Sequence, residues 1–229
     1  MSWIITGTEK NPVDPYFSNV SLLLHGDGTN GSTNIIDSSK TIGSPKTITA
    51  FGNAQISTAQ SKFGGASIAF DGNGDYLETP SSIDFAFGAG DFTIEGWCYL
   101  VASPSTGYPV LFETTSGSRL FINFRKSRFF AVTTFFEVIA TSPSDAPFNE
   151  WFHFAVTRAS TSFRVFLNGT SGAAVSSNYV FNDSTVTGRI GSVGSTESLN
   201  GFIDDLRITK GVARYTSNFT PPTAPFPDF

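Results

Sequence analysis

The chain is poor in sulfur, histidine and charge. One cysteine, Cys98, excludes an internal disulfide and suits a reducing compartment or assembly inside a cell. The two histidines, His25 and His153, sit beside no Ser or Cys pattern resembling a nucleophile elbow. Charged residues make up 14% of the sequence and the net charge is −5. The loose group Arg119–Arg128, with Lys126 inside it, is the nearest thing to a basic run, which argues against nucleic acid as a partner. No window is apolar for long enough to cross a bilayer as a helix. The opening MSWIITGTEKNPVDPYF has no basic segment followed by a long apolar one, so no Sec-type signal is expected there. No amphipathic helix of ten or more residues is visible, the nearest candidate being a short turn near Lys210–Tyr215. No internal repeat is visible either, which excludes a propeller or solenoid.

What the sequence has is 24 Phe, 22 Gly and 12 Pro, spread along 229 residues. That composition favours a β-rich, turn-rich protein, and the length suits a single sandwich with a substantial core. Short apolar runs recur at 20–26, 47–57, 66–72 and 91–100, with turn signals between them. Ile68 and Phe70 share one face, as do Phe92 and Ile94. Residues 151–158 and 163–169 form a hairpin around the loop Ala159–Ser162, with Phe152, Phe154 and Val156 on one face and Trp151, His153 and Ala155 on the other. His153 reads as a cross-strand partner, and Cys98 as a small buried side chain. The pattern predicts an all-β sandwich or barrel. We divide it into an N-terminal arm (1–18), a sandwich domain (19–215) and a proline-rich tail (216–229).

Four segments occur in order: SKFGGASIAFDGNGDYLETP, DFTIEGWCYL, WFHFAVTR with FRVFLNG, and RIGS with NGFIDDLRITKGVARY. Together they resemble the laminin-G-like branch of the concanavalin A-like lectin and glucanase sandwiches, over roughly residues 20–220. The wording of LLLHGDGTNGSTNIIDSSK and IDDLRITKGVARYT is similar to stand-alone members encoded by bacteriophages. The resemblance implies an all-β jelly-roll sandwich of two antiparallel sheets, a fold that hosts lectins, glycosidases, receptor modules and viral structural proteins, with ligands on one sheet face or at the loop rim. It also implies a calcium ion near the rim as the expected cofactor. Three acidic loops offer oxygen ligands: Asp27, the pair Asp71 and Asp75, and the pair Asp204 and Asp205. The DGNGD stretch lacks the EF-hand spacing and reads first as a turn, since Gly72 and Gly74 suit positive φ. Strand alternation sends Asp204 and Asp205 to opposite faces, one toward a ligand loop and the other toward Arg207 or Arg189.

The glucanases of this fold use an ExDxxE strand motif that places two carboxylates on one face, and it is absent. Glu95, Glu113 and Glu137 each stand alone in the sequence, so no enzyme is expected. The candidate binding surface is the Phe-paired segment with its basic neighbours: Arg125, Arg128, Phe129, Phe130, Phe135 and Phe136. In a two-faced sheet one ring of each Phe pair faces outward, and aromatic residues with Arg are enriched at interface cores. Trp3, Ile4 and Ile5 in the arm, with Phe226 and Phe229 in the tail, are the expected interface residues. The leading expectation is a non-enzymatic capsid-decoration or tail protein of a phage particle, assembled in the host cytoplasm, docking on virion proteins and on itself. The alternative is a lectin-like module that binds host or cell-surface glycans. Neither reading involves nucleic acid or a membrane.

Overall fold

The computed structural model describes residues 13–40, 45–101, 108–115, 117–125, 128–132, 138–182, 184–193 and 197–229, with main chain only for 125 and 128–132. Among these residues there are sixteen strands: β1 Val20–Leu24, β2 Thr49–Phe51, β3 Gln55–Ser57, β4 Ser67–Asp71, β5 Tyr76–Glu78, β6 Phe92–Leu100, β7 Val110–Thr114 and β8 Phe121–Arg125, followed by β9 Arg128–Val132, β10 Val138–Asp145, β11 Trp151–Ala159, β12 Ser162–Leu167, β13 Thr170–Ser171, β14 Val175–Ser176, β15 Gly188–Ile190 and β16 Asn200–Lys210. Among the described residues the helical segments are two single 3-10 turns, Phe17–Asn19 and Ile83–Phe85. No helix among the described residues is long and apolar enough to cross a membrane.

Two antiparallel sheets result. The nine-stranded sheet runs β13-β12-β11-β6-β16-β4-β3, with β1 added on β16 and β14 on β12. The seven-stranded sheet runs β10-β9-β8-β7-β15-β5-β2. The core lies between them. Ile94, Cys98, Phe152, Phe154, Val156, Ile203, Leu206 and Ile208 from one sheet join Leu77, Phe112, Ile122, Phe124, Ile139 and Ile190 from the other in one buried cluster. The alternation read from the sequence for β4, β6 and β11 is the alternation observed, and Cys98 is fully buried. The β11–β12 turn is tighter than expected. Ser160 and Thr161 alone connect the strands, because Ala159 and Ser162 pair with each other and Ser160 adopts φ 57°.

The Gly52-Asn53 and DGNGD turns are corners rather than hairpins. The strands before and after each belong to different sheets, β2 to β3 and β4 to β5. Asp75 is fully buried and ties the two corners together, accepting from the Asn53 amide (2.5 Å) and the Asp71 amide (2.7 Å). Asp71 accepts from the Asn53 side chain (2.9 Å) and the Asn73 amide (2.8 Å). A Cβ on Gly52 would collide with the Asp75 carboxylate, so the close approach requires glycine.

The C-terminal segment is part of the domain. It crosses the outer face of the nine-stranded sheet, where Phe219 stacks on Tyr215 (3.6 Å between centroids) and packs edge-on against Phe166 and His153. Phe226 is buried beside Val20 and Leu23, lies over the Arg207 guanidinium (3.7 Å), and donates its amide to Asp205 (2.7 Å). The Phe229 carbonyl accepts from the Asp14 amide (3.1 Å), so the two ends of the described chain meet.

Candidate functional site

The outer face of the seven-stranded sheet carries an ordered row of planar side chains. Alternation creates it: Leu77, Ile190, Phe112 and Ile122 point into the core, so Tyr76, Glu78, Arg189, Glu113 and Phe121 point out. Register aligns it. Phe51 lies opposite Tyr76, Glu78 opposite Arg189, Arg189 opposite Glu113 and Glu113 opposite Phe121. Phe51 and Tyr76 are stacked (4.4 Å, 9°), and Arg189 lies over Tyr76 (5.3 Å). Arg189 Nε donates to Glu78 Oε2 (2.7 Å), and its Nη1 is 3.9 Å from Glu113 Oε1. Arg119, from the β7–β8 turn, pairs with Glu113 Oε2 and lies over Phe121 (4.4 Å). The sequence of groups is aromatic, guanidinium, carboxylate, guanidinium, aromatic.

Glu113 is fully buried at the centre of this row, and its Oε1 has no hydrogen-bond partner. Burial pushes its carboxyl above the usual range, against the pull of Arg119 and Arg189. Glu197, near Arg119, is pushed up by burial as well. Asn123, on the outer side of β8, is 2% exposed and its Oδ1 is also without a partner. Tyr108, Val110, Phe121 and Val193 make a small apolar cluster on this side, apart from the main core. The arrangement offers hydroxyl-bearing ligands charged donors and acceptors between aromatic walls.

The sequence-based binding set falls elsewhere or outside the description. Arg125, Arg128, Phe129 and Phe130 belong to β8 and β9, and for these four residues only the main chain is described. Phe135, Phe136, Trp3, Ile4 and Ile5 lie outside the described residues. Phe226 requires a correction: it is 4% exposed and fills a pocket of its own chain, because it anchors the tail. Phe229 is exposed. The row itself was readable in part, since Leu77 facing inward sends Tyr76 and Glu78 outward. Its assembly from five strands and a turn was not readable.

The five acidic candidates separate into two places. Asp71 and Asp75 stitch the corners described above. Asp205, at a β-bulge with φ 52°, pairs with His25 Nδ1 (2.7 Å) and accepts the Phe226 amide. Its expected partners differ: Arg207 binds Glu95 and Asp14, and Arg189 binds Glu78. Asp204 Oδ2 accepts the amides of Lys62 (2.7 Å) and Phe63 (3.1 Å), whereas its buried Oδ1 has no partner. Burial raises its carboxyl to about 7, and the nearby Asp205 and Asp27 charges add to the effect. Asp27 packs against Gly64, where a Cβ would strike its carboxylate. Among the described residues no three His, Cys, Asp or Glu side chains form a group that can hold a metal ion.

A second buried charge cluster lies under the C-terminal segment. Glu95, fully buried, accepts from Arg207 Nε (3.0 Å), Arg207 Nη2 (2.7 Å) and the Tyr215 hydroxyl (2.8 Å). Asp14 binds Arg207 and Arg214 on the other side. Burial by itself would raise the Glu95 carboxyl; Arg207, with His153 and Arg214, holds it down at about 2. The cluster is roofed by the chain's own tail and fastens it to the sheet. His153, opposite Trp97 in the pairing, meets that ring edge-on (5.2 Å), the cross-strand role expected for it.

The family model described as the concanavalin A-like lectin/glucanases superfamily matches residues 71–214, more than half of the chain, and the protein belongs to that family. No curated protein sequence matches it. Among solved structures it is similar to domain 4 of AbnA, a GH43 extracellular arabinanase from Geobacillus stearothermophilus, in complex with arabinotriose: 16% identity, TM-score 0.64, 85% of this chain and 94% of that one. It is also similar to a botulinum neurotoxin type C structure described by the dependence of cell entry on two ganglioside molecules, with 16% identity and TM-score 0.63 over 86% of this chain and 49% of that one. Trypanosoma rangeli sialidase matches with 14% identity and TM-score 0.59 over 85% of this chain and 31% of that one. At these identities the likeness is one of fold.

Proposed function

We propose that the protein is a non-enzymatic carbohydrate-binding module whose site is the outer face of the seven-stranded sheet. The observation that carries this reading is the row of Tyr76, Arg189, Glu78, Glu113 and Arg119, with aromatic groups at both ends. Planar carboxylate and guanidinium groups match the paired hydroxyls of sugars, and charge-assisted hydrogen bonds are the stronger kind. The fold neighbours include one solved with arabinotriose and one named for gangliosides, which supports the same class of ligand. The phage-particle reading rests on sequence wording alone and ranks below it.

A hydrolytic role is disfavoured by the row itself. The Arg189 guanidinium binds both Glu78 and Glu113 and fills the gap that a glycosidic oxygen would need between two catalytic carboxyls. Among the described residues, the unpartnered Asp204 Oδ1, with the Asp27 charge near it, is the place where a calcium ion of the kind the family resemblance implies would sit. A cation there would take its remaining ligands from main-chain oxygens and water.

The test is isothermal titration of the protein against soluble neutral and sialylated oligosaccharides, with Glu78→Gln alongside. We expect binding that the substitution weakens at least tenfold. Equal affinity in the variant would move the site away from this face.

A further inference from the structure

The orientation of the row restricts the form of its ligand. Phe51 and Tyr76 face each other across neighbouring strands, and their centroids are 4.4 Å apart with planes 9° from parallel. Neighbouring strands lie about 4.8 Å apart, so rings stacked at that spacing have their normals along the strand-to-strand direction. They stand upright on the sheet, with edges toward solvent. Both faces of Tyr76 are taken, one by Phe51 and the other by Arg189. Phe121 has Arg119 over it and is 5% exposed. Phe51, on the end strand of the sheet, is the most exposed ring of the row among the described residues.

The polar groups, in contrast, are accessible. The side chains of Glu78, Arg189 and Arg119 are 28%, 29% and 27% exposed. Arg189 Nη2 and Arg119 Nη1 have no hydrogen-bond partner among the described residues. These groups run from β5 across β15 to the β7–β8 turn, about two strand spacings or about 10 Å, the width of one or two sugar rings.

We propose that this face binds the hydroxyl-bearing edge of a single sugar unit, at a chain end or branch of a soluble glycan, and does not bind the flat surface of a polysaccharide by ring stacking. The proposal rests on the carbohydrate reading above. A stacking platform needs several free, coplanar ring faces. Here the rings prop the guanidinium groups upright, and the guanidinium and carboxylate edges meet the ligand.

The experiment compares arabino- and cello-oligosaccharides of one to six units, and sialyllactose, by titration calorimetry, with retention on insoluble cellulose and chitin measured in parallel. We expect affinity that rises no more than about threefold beyond two units, no retention on the insoluble polymers, and a larger loss from Glu78→Gln than from Phe51→Ala. Affinity that keeps climbing to six units, retention on the insoluble polymers, or a larger loss from Phe51→Ala would overturn the edge-binding geometry while leaving carbohydrate binding in place. Failure of every oligosaccharide and polymer to bind would overturn the carbohydrate reading and this inference with it.

Discussion

Replacing Asp204 by Asn should stabilise the protein at pH 8 and not at pH 4.5. The folded state holds this carboxyl at about 7, above its ordinary 3.8, chiefly because it is buried and its Oδ1 has no partner. Its proton is therefore bound more tightly in the folded chain than in the unfolded one. Stability falls as pH rises from about 4 to about 7, then levels off. At about 1.4 kcal/mol per pH unit, the gap from 3.8 to about 7 corresponds to about 4 kcal/mol above neutrality. Asn keeps one oxygen for the Lys62 and Phe63 amides and carries no charge. Its amide donors meet the unpartnered side of the site, which takes back about 1–2 kcal/mol. A net gain of about 2 kcal/mol remains at pH 8, or about 4–8 °C in Tm for a chain of this size. At pH 4.5 the wild-type group is already neutral and the variant should be level or slightly weaker. Thermal and urea unfolding in EDTA from pH 4.5 to 8.5 measure this directly. A difference between the two proteins that does not change with pH would refute the reasoning. Calcium added at pH 8 should raise the Tm of the wild type and leave Asp204→Asn unmoved; an equal rise in both would place any bound ion elsewhere.

Glu95→Gln removes the carboxylate that binds Arg207 and Tyr215 and should cost about 3–5 kcal/mol, because two buried guanidinium groups lose their shared partner. Glu95 is depressed from 4.5 to about 2, so its contribution is complete above pH 4.5 and fades as pH falls toward 2. Urea midpoints between pH 2 and 5 should show that slope in the wild type and a shallower one in the variant. Phe226→Ala should cost about 3 kcal/mol and free the tail before the sheets melt. Limited proteolysis would then cut within 220–227 under conditions where the wild type stays whole, and an unchanged digestion pattern would contradict the anchoring role.

The sandwich was legible because its evidence is local. A run such as Phe152, Phe154 and Val156 declares its buried face by alternation alone, and 20–26, 66–72 and 91–100 do the same. The corners were only half legible. Gly52-Asn53 and Asp71–Asp75 read as turns, but whether a turn joins strands of one sheet or passes between two depends on pairing partners far away in sequence. The outer-face row was legible least. Glu113 looks isolated in sequence because one partner, Arg189 on β15, arrives through strand order, and the other, Arg119, reaches it only through the fold-back of the β7–β8 turn. Glu95 looks isolated for the same reason, since Arg207 and Tyr215 lie 112 and 120 residues away. Burial of the tail was hidden because a proline-rich segment has no periodicity from which to read a buried face.

Strand β16 has a consequence for how the molecule is made. It lies between β6 on one side and β4 and β1 on the other, and its residues are 200–210. Until that stretch leaves the ribosome, β1, β4 and β6 have no common neighbour, and one edge of each is left unpaired. Acquisition of the native sheet is therefore a late, concerted event, set by long-range pairing and slow on the scale of helical proteins. During that interval the nascent chain displays unpaired strand edges, the form of polypeptide that is most in need of a chaperone.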